Sequence, residues 1–94
     1  MDLGLRNCVY LVTGGSRGLG RAAAAALVGE GARVVISGRN EADVTATANA
    51  FGTAYALGLP TDNADPEGPG RLVAAALARF GRLDGALISV GGPP

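Results

Sequence analysis

The sequence predicts an α/β fold, a doubly wound parallel sheet that carries its first four strands only, in the order 3-2-1-4, and is truncated there. Three observations point to it. Four short apolar runs alternate with three helical stretches, which spells β-α-β-α-β-α-β within 94 residues. The first run ends in a glycine cluster that opens directly into a helix. Small residues dominate the composition, with 16 Gly and 18 Ala, so helices can lie close against strands. Consecutive strands joined by helices are parallel and the crossovers right-handed. At 94 residues the chain is one domain at most, or part of one.

Cys8 to Thr13 (CVYLVT) is a short β-rich run that reads as a buried first strand, with Cys8 as a small buried hydrophobe. Arg17 to Glu30 is Ala-rich, with Leu19, Ala23, Ala26, Leu27 and Glu30 at helical spacings and Gly31 as the residue that ends the helix. Arg33 to Ser37 is the second strand, stopped by Gly38. Asn40 caps a helix running to about Phe51. Ala54 to Leu59 is the third strand, closed by Pro60, with Tyr55 as a core tyrosine. Pro60 to Gly70 is loop, and Pro69 marks the start of the third helix. Leu72, Val73, Ala76, Leu77 and Phe80 form that helix's buried stripe, and Gly81 ends it. Leu83 to Val90 is the fourth strand. In this topology a ligand crevice lies beyond the carboxyl ends of strands 1 and 4.

Composition excludes several chemistries. The chain has eight Arg, no Lys and no His, against eight Asp plus Glu. Without His there is neither a Ser-His-Asp triad nor a His-based zinc site. Without Lys there is no Walker-type phosphate lysine and no Schiff base. A single Cys makes no internal disulfide. Zero net charge argues against nucleic acid, which calls for a basic face. No apolar run is long enough to be a signal core or a membrane span, so a cytoplasmic protein is expected.

Thr13 to Gly20 (TGGSRGLG) falls at the strand-to-helix turn. There unpaired N–H groups and the positive end of the helix dipole can receive a diphosphate. Gly14 permits the sharp turn; Gly18 and Gly20 remove side chains where a ligand touches backbone or helix touches sheet. The spacing G-x-x-x-G-x-G misses the G-x-G-x-x-G dinucleotide fingerprint, and Arg21-Ala22 stands where a Walker loop needs Lys-Ser/Thr. An ordinary strand–helix turn in a Gly-rich chain is the plain alternative. With its T-G-x-x-x-G-x-G pattern, the loop resembles the cofactor loop of the short-chain dehydrogenase/reductase family. The resemblance extends over essentially the whole chain, including the Asp62 turn and the Leu83-Asp84 strand.

That resemblance implies a Rossmann-type fold and an NAD(P)-dependent oxidoreductase of alcohols and carbonyls. Residues 1–94 would be the N-terminal part of its NAD(P)-binding domain, with Gly14, Ser16, Arg17, Gly18, Leu19 and Gly20 as the cofactor-binding residues of the loop. NAD sites place a carboxylate after the second strand, on the ribose 2′-hydroxyl. Here Gly38 stands in that place and Arg39-Asn40 follow, while Arg17 lies inside the glycine loop. Two guanidiniums favour the 2′-phosphate, so NADP is expected over NAD, unless both are simply solvated surface arginines. By the same resemblance Asp62 and Asn63 hold adenine, although an Asx-turn accounts for Asp62 nearly as well. Ser89 stands where the family commonly has Asn, and Gly91 leaves room beside the nicotinamide ribose.

The family's catalytic Ser and Tyr-x-x-x-Lys are absent, so no catalytic residue is assigned and enzymatic status is open. Two functions are expected of such a chain: the NADP-binding portion of an oxidoreductase, or a catalytically incompetent nucleotide-binding fragment. In the second case another chain completes it. LDGALISV at an open sheet edge lacks the Lys, Pro or bulge that blunts edges, which predicts self-association or a chain that completes the sheet. The other partner is the dinucleotide itself, with neither nucleic acid nor membrane involved.

Overall fold

Residues 4–14, 18–62 and 64–88 are described by a computed structural model of the chain. They alternate as anticipated: β1 (Val9–Thr13), α1 (Gly18–Gly29), β2 (Arg33–Gly38), α2 (Glu41–Phe51), β3 (Ala56–Pro60), α3 (Gly68–Phe80) and β4 (Gly85–Leu87). The four strands form one parallel sheet in the order β3-β2-β1-β4, the order expected of a Rossmann-type half. Side chains alternate between its two faces. Val12, Val34, Ile36 and Ala56 pack with Ala24 of α1 and with Val44 and Ala48 of α2. Val9, Leu11 and Val35 pack on the other face with Leu72 and Ala76 of α3. Burial on both faces explains why the strands read as unbroken apolar runs.

Small residues set the close approaches. A Cβ on Gly58 would lie 2.6 Å from the Val44 carbonyl oxygen, so β3 and α2 touch through backbone. We expect Gly58→Ala to cost about 1–3 kcal/mol through overpacking. Chemical denaturation checks this, and an unchanged midpoint would refute the contact. A Cβ on Gly85 would meet the ring of Tyr10, its register partner across the β1–β4 pair, at 3.0 Å.

The helix ends follow the expected chemistry. Asn40 Oδ1 accepts the Asp43 N–H at 3.0 Å and caps α2. Gly31 and Gly81 take positive φ after α1 and α3. Pro69 lies in the first turn of α3, where its missing N–H costs nothing, and that helix starts one residue earlier than expected, at Gly68.

Several expectations need correction. β3 begins at Ala56, because the Tyr55 and Ala56 N–H groups both bond the Gly52 carbonyl in a turn. Tyr55 is therefore exposed in that turn and not a core residue. Cys8 precedes β1 and is half-buried, its thiol 3.7 Å from the Gly4 carbonyl. In α1 the buried positions are Gly20 and Ala24, and Leu19 is 89% exposed. In α3 only Leu72, Ala76 and Phe80 follow the sheet; Val73 and Leu77 face outward, one step around the helix. β4 is shorter than expected at its start, since Leu83 and Asp84 lead into it and Ser89-Val90 lie outside the described residues.

Asp84 joins β1 to β4 at their amino ends. Its N–H donates to the Val9 carbonyl at 2.8 Å, and its carboxylate accepts the Val9 N–H at 2.8 Å. Arg82 donates to both carboxylate oxygens, at 2.9 and 2.7 Å. The Arg82 bond first, then that from Val9, holds the Asp84 carboxyl below the usual carboxylate range. A carboxylate with a lowered folded pKa stabilises the fold above its unfolded pKa of about 3.9. That contribution disappears as pH falls through the lowered value. Thermal midpoints should therefore fall with acidification below about pH 4, and less steeply in Asp84→Asn. Parallel pH curves for the two proteins would rule out the linkage.

Candidate functional site

Parallel pairing brings the carboxyl ends of all four strands to one side. Thr13 pairs with Ser37 and Gly38 with Pro60, so the loops after β1, β2 and β3 emerge level with one another. Each flanking loop is tied to β2 by a backbone bond beyond the strands. The Gly14 N–H donates to the Ser37 carbonyl, and the Thr61 N–H donates to the Gly38 carbonyl, both at 2.8 Å.

In the glycine loop, Gly14 has φ +69 and Gly18 has φ +54, left-handed values that favour glycine. A Cβ on Gly18 would meet no protein atom within 4 Å. Backbone conformation and external access, not internal packing, thus account for glycine there. Gly20 is buried inside α1, on the side where the helix meets the sheet. α1 starts at Gly18 and has no acidic residue in its first turn, so nothing there offsets the positive end of its dipole. The exposed Leu19 stands beside this opening. An open backbone corner at a helix start fits a diphosphate. Ser16 and Arg17 lie outside the described residues.

At the end of β2, Arg39 is exposed and no described side chain pairs with it. Asn40 uses its side chain to cap α2. After β3, Asp62 Oδ1 accepts the Ala64 N–H at 2.9 Å, so the Asx-turn anticipated as an alternative is present. Arg39 and Asp62 line the same recess of about 440 Å³, together with Thr61, Asp65 and Arg71. Asn63, Ser89 and Gly91 lie outside the described residues.

Sequence reasoning passed over Asp65 and Arg71. Arg71 donates to Asp65 Oδ2 at 2.5 Å, and Asp65 Oδ1 accepts the Glu67 N–H at 2.9 Å. The Arg71 bond, followed by that from Glu67, lowers the Asp65 pKa and keeps it ionised. The signal available was an Asp and an Arg flanking a Pro-Glu-Gly-Pro-Gly turn, but a spacing of six matches no helical template. A larger recess, about 750 Å³, lies at the opposite end of the sheet beside Arg6, Arg33 and Tyr55. It is remote from the glycine loop.

Residues 8–93 match the short chain dehydrogenase family. The chain belongs to that family. Among the relatives of this short-chain dehydrogenase chain, ipsdienol dehydrogenase from Ips pini is 38% identical over 97% of the chain and 34% of its own length. L-Rhamnose 1-dehydrogenase (NAD(P)(+)) from Azotobacter vinelandii is 46% identical over 79% of the chain and 31% of its own length. A short-chain dehydrogenase/reductase (glucose/ribitol dehydrogenase) from Brucella melitensis superposes with a TM-score of 0.91 at 26% identity, over 100% of this chain and 40% of that one. L-Sorbose reductase from Gluconobacter frateurii, solved with NADPH and L-sorbose, gives 0.89 at 29% identity, over 98% and 36%. The short-chain dehydrogenase chain thus spans about a third of the length of the curated relatives it matches, and it corresponds to the N-terminal portion of the family fold. The family consists of oxidoreductases that use NAD(P). Among the described residues, no helix is long and apolar enough to cross a membrane, and no group of His, Cys, Asp and Glu could hold a metal.

Proposed function

We propose that residues 1–94 form the N-terminal part of the dinucleotide-binding domain of an NADP-preferring short-chain oxidoreductase acting on alcohol or carbonyl substrates. The observation that carries the cofactor choice is Arg39. It sits exposed at the carboxyl end of β2, behind Gly38 where an NAD site would offer a carboxylate, and it shares its recess with Asp62. Gly14, Ser16, Arg17, Gly18, Leu19 and Gly20 would hold the diphosphate. Arg39, with Arg17, would pair the 2′-phosphate through charge-assisted bonds, and Asn40 would fix the turn that presents Arg39. Asp62 and Asn63 would hold adenine, and Ser89 and Gly91 would lie beside the nicotinamide ribose. Bound nicotinamide supplies a hydride; these residues only bind and orient it. The NADPH complex of L-sorbose reductase supports this reading.

Fluorescence titration with NADPH and NADH tests it. NADPH should bind at least about tenfold tighter, and Arg39→Ala should remove most of that preference, in line with about 1.5–3 kcal/mol for a hydrogen bond to a charged group. Equal affinities in the parent chain, or an unchanged preference in Arg39→Ala, would refute it.

A second reading, a nucleotide-binding module completed by another polypeptide or a second copy, is favoured by one observation. Val73, Leu77, Leu87 and Ile88 are all exposed on α3 and on β4 and its exit.

A further inference from the structure

Among the described residues, four ionisable side chains line the recess after β3: Arg39, Asp62, Asp65 and Arg71. With Arg71 their formal charge sums to zero; without it, two carboxylates face one guanidinium. A phosphate monoester carrying about −1.5 to −2 charges would meet net repulsion there. The Asp65–Arg71 pair is solvent-exposed, with side chains 32% and 51% accessible, so as an ion pair it contributes little to stability. Its placement in the recess that holds Arg39 is a better account of it.

We infer that Arg71 is a specificity-determining residue for the 2′-phosphate of NADP, and that Asp65 sets how much of its positive charge the ligand meets. This rests on the proposed NADP preference. Arg71 supplies a further cation at the adenosine end, from the first turn of α3 and in the same recess as Arg39. Asp65 is itself held by the Glu67 N–H, so it fixes the guanidinium in place and neutralises part of its field. Removing the Asp65 charge frees that field for the ligand; removing Arg71 leaves Asp65 to repel it.

NADPH and NADH titrations of the chain carrying Asp65→Asn, Arg71→Met, Arg71→Lys and Arg39→Ala test the inference, with thermal unfolding recorded for each. Asparagine retains an acceptor for the Glu67 N–H, so the turn persists. A unit charge beside the ligand under surface screening corresponds to a change of about three- to tenfold. Asp65→Asn should raise the NADPH-to-NADH affinity ratio by that factor, Arg71→Met should lower it by that factor, and Arg71→Lys should retain most of it. NADH affinity should barely move, and the differences should shrink as salt rises. Unchanged ratios in Asp65→Asn and Arg71→Met overturn the inference, while a ratio still lost in Arg39→Ala leaves the cofactor reading intact. A ratio unaffected by Arg39→Ala removes the cofactor reading, and the inference with it.

Discussion

Gly18→Val should lose dinucleotide binding by about 100-fold or more. The number corresponds to one or two charge-assisted hydrogen bonds at about 1.5–3 kcal/mol each. Gly18 opens α1 at φ +54, and the space its Cβ would enter holds no protein atom. A valine there carries two obstacles. Its branched Cβ disfavours the left-handed conformation by about 1–2 kcal/mol, and its methyl groups occupy the approach to the helix mouth. Gly18→Asn separates them, because Asn visits that conformation readily while still filling the space. The Asn variant should therefore unfold at nearly the parent midpoint and yet bind NADPH weakly. An Asn variant that folds and binds like the parent would show that the diphosphate does not pass Gly18.

The chain by itself should show no measurable carbonyl reduction with NADPH and should self-associate. No lysine is present to assist a tyrosine. Tyr10 is the second residue of β1, and Tyr55 lies in the turn before β3, so both sit toward the amino ends of the strands. The glycine loop and Arg39 lie at the other end. Self-association follows from the outer edge of β4, to which no strand pairs among the described residues. Leu87 in β4, at 44% exposure, and Ile88 just after it, at 74%, make that edge apolar. Sedimentation should give a mass above that of one chain. A monodisperse monomer with cooperative unfolding, or turnover with NADPH, would overturn this expectation.

The strand order and the loops of the site were legible because both follow from period and punctuation. Apolar runs alternate with helical spacing, and Gly14, Gly31, Asn40 and Gly81 each sit where the backbone needs them. Positions that depend on neighbours in space were not legible. Tyr55 belongs to the apolar run AYALGL, yet pairing with β2 starts at Val34–Ala56, and nothing within the run marks that register. Leu77 and Val73 share the helical spacing of Leu72 and Ala76; which of two adjoining stripes meets the sheet depends on how α3 is rotated against β1 and β2. The Asp65–Arg71 pair closes between the turn before α3 and that helix's first turn, and no sequence period spans such a boundary. At the site, the side-chain types of Arg39 and Asp62 were readable, but their sharing of one recess required the fold.

β2 carries a mechanical consequence. The loop after β1 and the loop after β3 are each pinned to it by an amide, at Ser37 and at Gly38, one on each side of the same strand end. The glycine loop and the recess after β3 are thus two jaws on one post. A displacement of the tip of β2 carries both jaws in step, while a displacement of either neighbouring strand would pry them apart.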